Sequence, residues 1–154
     1  MWKTTQINLL SNLLDDSGIE NIIVREPGNT SVSEKIRDIL LDNNNKINEI
    51  SETLLFLSSR SQLVSEVIEK AIRKNKVILC DRYIDSTIAY QGYGRGLDIH
   101  KLYNLNAFAT KDTFPDITFI FDIDLNTAIQ RLSRKNNDRM ENLGKSFFEN
   151  VKNG

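Results

Sequence analysis

A chain of 154 residues fills one domain and leaves no room for a second core. Hydrophobic residues at 40% and charged residues at 27% exclude a disordered or fibrous chain and predict a soluble globular one. The formal net charge of -1 excludes bulk attraction to nucleic acid or to an anionic membrane, so an anion site must come from a few basic groups and the expected partner is a small ligand.

Cys80 is the single cysteine, which excludes an internal disulfide framework and a cysteine-built zinc site; it follows Val77-Ile78-Leu79 and is expected to be a buried strand thiol. No apolar stretch approaches the ~20 residues that span a bilayer and no signal-type segment opens the chain, so the cytoplasm is the expected compartment.

Ile7, Leu10 and Leu14, with Leu9 and Leu13 beside them, predict an opening helix that Asp15-Asp16-Ser17-Gly18 ends. Ile22-Ile23-Val24 then reads as a buried parallel strand with Arg25 and Glu26 at its carboxyl end. Ser31 stands three residues before Glu34, a capping-box spacing, and predicts a short helix through Ile36, Ile39 and Leu40 to the Asn43-Asn44-Asn45 turn. The longest helix is predicted over 49–74, with Leu54, Leu57, Val64, Val67, Ile68, Ala71 and Ile72 on its apolar side. A second strand is predicted over Val77 to Cys80 and a third over Ile117 to Ile123, with helices at about 98–109 and 125–134. Alternation of this kind means an α/β fold with a parallel sheet, whose ligands bind outside the carboxyl ends of the strands.

Those strand ends carry Arg25-Glu26 and Asp81-Arg82. An Asp-Arg pair after a strand is by itself an ordinary structural ion pair. On the long helix, Phe56 and Arg60 lie four apart and therefore project from one face as a stacking plate and a fork of donors. Without further context, Phe56 reads as core.

That context is the run from Asp81 through Arg82-Tyr83-Ile84-Asp85-Ser86-Thr87-Ile88-Ala89-Tyr90-Gln91-Gly92-Tyr93-Gly94-Arg95-Gly96-Leu97 to Asp98, which closely resembles the thymidylate kinase signature. The resemblance continues in Arg25-Glu26-Pro27-Gly28, in Leu54-Leu55-Phe56 with Arg60, in Phe108-Ala109-Thr110 and in Pro115-Asp116-Ile117-Thr118, and so covers nearly all of the chain. It implies an α/β parallel-sheet P-loop nucleoside monophosphate kinase fold that transfers a phosphoryl group from ATP with Mg2+ to dTMP. It also implies a homodimer, the family's usual assembly.

Site roles follow from the same resemblance. Phe56 is expected to stack on thymine, Arg60 to hydrogen-bond its ring carbonyl, and Arg82 to hold the dTMP phosphate as a planar, permanently charged donor. Thr87 and Gln91 match positions at the polar edge of the base, Tyr90 the tyrosine packed against the deoxyribose, and Glu26 a pocket acid near the sugar. Pro27 matches a proline that is often cis. Arg131, Arg134, Lys135 and Arg139 resemble a lid over the ATP phosphates, with Arg134 and Arg139 as the catalytic candidates beside Arg82; a solvated helix face carries such charges just as often. Arg95 suits a turn as well as a site.

A phosphate loop reads Gly, four residues, Gly, Lys and Ser or Thr, so that backbone N–H groups wrap the phosphates. Here Lys3 and Thr4 stand as its remnant, Lys3 for the ATP phosphate and Thr4 as a weak Mg2+ ligand, with Trp2 where the family has a glycine. Relative to the family the first and last strands are expected to be missing, leaving a central gap in the sheet, with Lys3 mobile at a frayed end. The expectation is a dTMP pocket kept without turnover. A non-catalytic dTMP-binding relative, a partner of an intact kinase subunit and a gene remnant stay open as alternatives; a kinase for another nucleotide is opposed by the residues from Thr87 to Gln91.

Overall fold

The structure, a computed structural model, describes residues 2–132 and 137–154. Helix α1 (Trp2–Asp16) leads to strand β1 (Asn21–Arg25) and helix α2 (Ser31–Leu41). Helix α3 (Glu49–Leu63) then runs through a π-helical turn, Val64–Ile68, into α4 (Glu69–Ile72). Strand β2 (Val77–Asp81) follows, then α5 (Ile84–Thr87) and its π-helical continuation Ile88–Gly94. Helices α6 (Ile99–Thr110), α7 (Leu125–Leu132) and α8 (Gly144–Asn153) complete the order.

The two strands pair in parallel, from Asn21 opposite Val77 to Arg25 opposite Asp81. A parallel pair needs a crossover rather than a hairpin, and the helices between residues 31 and 72 supply it. Val24 on β1 is buried with Leu63, Val64 and Ile68 of the long helical rod, and Ile22, Ile78, Cys80 and Tyr83 pack against them. Each such apolar side chain contributes roughly 1.5–3 kcal/mol on burial. A second cluster, Ile84, Ile88 and Leu102, fixes the Ile84–Gly94 helical segment on α6.

Two sequence expectations are corrected. The cap of α2 is Thr30, whose hydroxyl accepts from the Ser33 backbone N–H, rather than Ser31. Glu34 is drawn away from a capping box because it accepts from the Asn29 N–H and pairs with Arg25. The strand predicted over Ile117 to Ile123 is not a strand: 117–124 has no regular secondary structure, and the sheet of the described residues has two strands only. A β-branched run becomes a strand only when a neighbour completes its ladder. Without one, Ile117, Phe119 and Ile120 stay 72%, 72% and 84% exposed. Among the described residues no helix is long and apolar enough to cross a membrane.

Candidate functional site

Parallel pairing brings the ends of β1 and β2 to one level, and the Glu26 N–H still donates to Asp81 O at 3.1 Å. Beyond that bond the two chains turn away sharply. The Glu26–Pro27 peptide is cis, and Gly28 has φ 145°, where a Cβ would also meet a Glu34 carboxylate oxygen at 2.6 Å. On the other side Arg82 takes φ 73°, an uncommon left-handed conformation for a residue with a Cβ and a frequent mark of functional sites. Glu26 and Arg82 thus leave the sheet side by side and both line one cavity of about 160 Å3.

Arg60 organises one wall of that cavity from α3 and is only 2% exposed. Its Nε and Nη2 donate to Glu26 Oε2 at 2.8 and 2.5 Å, and Nη2 also reaches the Tyr83 carbonyl at 3.0 Å. Nη1 donates to Thr87 Oγ1 at 2.7 Å and to Asn106 Oδ1. All five guanidinium protons therefore have protein acceptors, as a buried cation requires. Glu26 Oε1, in contrast, is buried with no hydrogen-bond partner among the described residues. Burial pushes the Glu26 carboxyl above the usual range against the pull of Arg60.

The cavity also holds Phe56, Tyr90 and Gln91, so the structure brings together Glu26, Phe56, Arg60, Arg82, Thr87, Tyr90 and Gln91 from the sequence reading. The π-helical segment Ile88–Gly94 continues α5, and Thr87, Tyr90 and Gln91 all turn toward the cavity from this stretch; local π geometry often serves a site in this way. The Arg82 guanidinium lies 5.7 Å from the Tyr90 ring centroid and has no ion pair or hydrogen bond among the described residues. Arg37 of α2 lines the same cavity and donates to the Pro27 carbonyl at 2.8 Å. Burial, and then the Arg25 charge, lowers its pKa against the pull of Glu34 and Asp138. A phosphate in the cavity would find Arg37 and Arg82 on its wall.

Beside the cavity, Glu52 is fully buried and accepts from Gln91 Nε2 at 3.0 Å and from Arg95 at 3.1 and 2.8 Å. Arg139 Nη1 reaches the same carboxylate at 2.8 Å, while its Nε donates to the Leu40 carbonyl at 2.7 Å and its backbone N–H to the Leu41 carbonyl. Burial alone would raise the Glu52 pKa, but hydrogen bonds from Arg95, Gln91 and Arg139 outweigh it and hold the carboxyl below its usual range. Arg139 is therefore spent on the end of α2 and on Glu52, and it does not line the cavity. Arg134 and Lys135 lie outside the described residues.

Asp138, Met140, Glu141 and Phe148 close the cavity on the α8 side. Phe147 meets Tyr90 edge to face at 5.9 Å and lies 5.2 Å from the Arg95 guanidinium. Gly94 permits this approach, since a Cβ there would come 2.6 Å from the Phe147 ring.

Lys3 is not the mobile residue that its position suggested. Its ammonium pairs with Asp81 at 2.8 Å, so the first turn of α1 reaches the carboxyl end of β2. Burial, and then the Arg82 charge, lowers the Lys3 pKa. Lys3 and the positive end of the 15-residue α1 suit a phosphate group, while the Asp81 carboxylate suits a cation bound to it. Thr4 is exposed beside them, and no cluster of three or more acidic, histidine or cysteine side chains among the described residues could hold a metal alone. This donor set suits Mg2+ that arrives with phosphates, which takes one or two carboxylates from protein.

Sequence reasoning missed Arg37 and Glu52. Glu52, Phe56 and Arg60 recur at intervals of four on α3, a spacing that places all three on one face and could have found Glu52. Arg37 gave no comparable signal, because its place depends on the Pro27 turn.

A family model described as Thymidylate kinase matches residues 3–154. The chain is 50% identical to the thymidylate kinase of Thermosipho africanus over 151 residues, covering 98% of this chain and 75% of that protein. It is 46% identical to the thymidylate kinase of Fervidobacterium nodosum over 151 residues, with 98% and 76% covered. The crystal structure of thymidylate kinase from Ehrlichia chaffeensis is similar with a TM-score of 0.77 at 33% identity, over 97% of this chain and 75% of that one.

Proposed function

The chain belongs to the thymidylate kinase family, and from that premise we propose that its cavity is the dTMP pocket of a dTMP kinase site. The observation that carries this reading is the Arg82 guanidinium, which lies over the Tyr90 ring with no ion pair or hydrogen bond among the described residues, in one cavity with Phe56. Arg82 and Arg37 hold the phosphate through charge-assisted bonds, Phe56 stacks on the base and Tyr90 packs against the deoxyribose. Glu26 Oε1 accepts from a sugar hydroxyl and so satisfies an otherwise orphaned buried oxygen.

Arg60 acts on the base through Thr87 in this proposal. Every Arg60 proton already has an acceptor, and the Thr87 hydroxyl, by accepting one of them, keeps its own proton to donate to a ring carbonyl. Gln91 completes the polar edge. Arg139 anchors the segment after the lid, and the catalytic role expected of a lid arginine passes to Arg134.

ATP with Mg2+ supplies the phosphoryl group when bound. Lys3 and the first turn of α1 hold its phosphates, with Asp81 and Thr4 as oxygen donors toward the metal. Arg82 fixes the acceptor phosphate and the α8 side excludes water, which is the positioning that phosphoryl transfer needs.

Calorimetry with dTMP and AMP, run beside a coupled ADP-release assay, tests this reading. Tighter binding of dTMP than of AMP is expected, with ADP release that Lys3→Ala reduces. Equal binding of dTMP and AMP would reject the pocket assignment, and turnover that Lys3→Ala does not reduce would reject the donor assignment.

A further inference from the structure

Gln91 is 2% exposed at the cavity wall, and its carboxamide offers either a donor or an acceptor to whatever lies there. Its partner Glu52 removes the choice. An ionised carboxylate only accepts, so the Gln91 NH2 must face Glu52, as it does at 3.0 Å. Gln91 Oε1 is left without a hydrogen-bond partner among the described residues. Glu52 cannot turn away, because Arg95 holds both its oxygens and Arg139 holds one.

We propose that Glu52 is a positioning residue for base selection: it fixes the Gln91 amide so that an acceptor meets the base, and Arg139 ties that setting to the segment that closes the cavity. This rests on the dTMP-pocket reading. The ring edge of thymine or uracil presents an N–H between two carbonyls, whereas cytosine presents a bare ring nitrogen beside an amino group. A fixed acceptor at Gln91 matches the ring N–H of the first pattern and opposes the bare ring nitrogen of the second, while the Thr87 hydroxyl can serve either base. The 5-methyl group plays no part, so uracil should be treated as thymine is.

Glu52→Gln makes the sharpest test. Arg95 and Arg139 would claim the new carbonyl oxygen and leave its NH2 toward Gln91, which turns the Gln91 amide over and presents a donor to the base. Calorimetry should show wild-type protein preferring dTMP and dUMP over dCMP by about tenfold or more, and Glu52→Gln reducing that preference at least about fivefold while the dTMP to dUMP ratio stays constant. In a Gln91→Ala background the same substitution should leave the dTMP to dCMP ratio unchanged, because the group being oriented is gone. Equal weakening of dTMP and dCMP by Glu52→Gln would show a merely structural residue and overturn the proposal. Absence of any dTMP preference in wild-type protein would instead reject the pocket reading beneath it. If Glu52→Gln fails to fold, NMR of 15N-labelled wild-type protein decides. Exchange-protected Gln91 side-chain NH2 protons that stay protected when dTMP binds support the proposal, and their exposure on dTMP binding overturns it.

Discussion

The cavity wall and the segment Ile117 to Ile123 invert the usual rule of what lies inside a protein. Arg60, Glu52 and Asn106 are among the most buried side chains, whereas Phe119 and Ile120 are among the most exposed. Burial follows partnership more closely than polarity. Arg60 makes five hydrogen bonds to four acceptor atoms on Glu26, Tyr83, Thr87 and Asn106, which offset the cost of burying its charge. The apolar run has no ladder partner among the described residues, so neither its backbone nor its side chains have an inside to occupy.

The largest effect should come from breaking the network at its centre. Arg60→Met should cost roughly 3 kcal/mol or more in urea unfolding, because Glu26 would be left buried without its cation. Adding Glu26→Gln should return part of that loss; no return would mean that the two residues are not coupled.

Acid should loosen the Glu52 cluster more gently. A carboxyl held below its usual range stabilises the fold above the ordinary glutamate pKa of about 4.3, and that contribution is lost as pH falls through the lowered value. Urea midpoints of the wild-type chain should therefore fall more steeply with acid below about pH 4 than those of Glu52→Gln. Parallel curves would show that the Glu52 charge does not contribute.

At the other region Ile120→Lys should change stability by less than about 0.5 kcal/mol, since the side chain is 84% exposed. A larger loss in the same urea experiment would show that this run packs against something in solution and would erase the contrast with the cavity wall.

Much of the pocket was legible in sequence because its residues are local in the chain. The four-residue spacing of Phe56 and Arg60 and the run from Asp81 to Asp98 placed nearly half of the cavity wall on two segments. The strands Ile22-Ile23-Val24 and Val77 to Cys80 announced themselves by β-branched runs between turns, and both formed because each supplied the other's partner. Ile117 to Ile123 carried the same pattern, but a pattern reports propensity and says nothing of a neighbour. Thr30 rather than Ser31 became the cap because Arg25 and Asn29 claimed Glu34, a competition between segments that no local spacing reveals. The role expected of Arg60 changed for a related reason. Its residue type was readable, whereas the acceptors that consume its donors lie up to 46 positions away.

The central claim, that the Arg82 guanidinium seats a nucleotide phosphate, is tested most directly by calorimetry of dTMP and thymidine with wild-type protein and Arg82→Ala. Loss of a charge-assisted bond should weaken dTMP binding by roughly 2 kcal/mol while thymidine binding hardly changes. Equal losses for both ligands would show that Arg82 shapes the pocket without holding a phosphate, and would contradict the assignment.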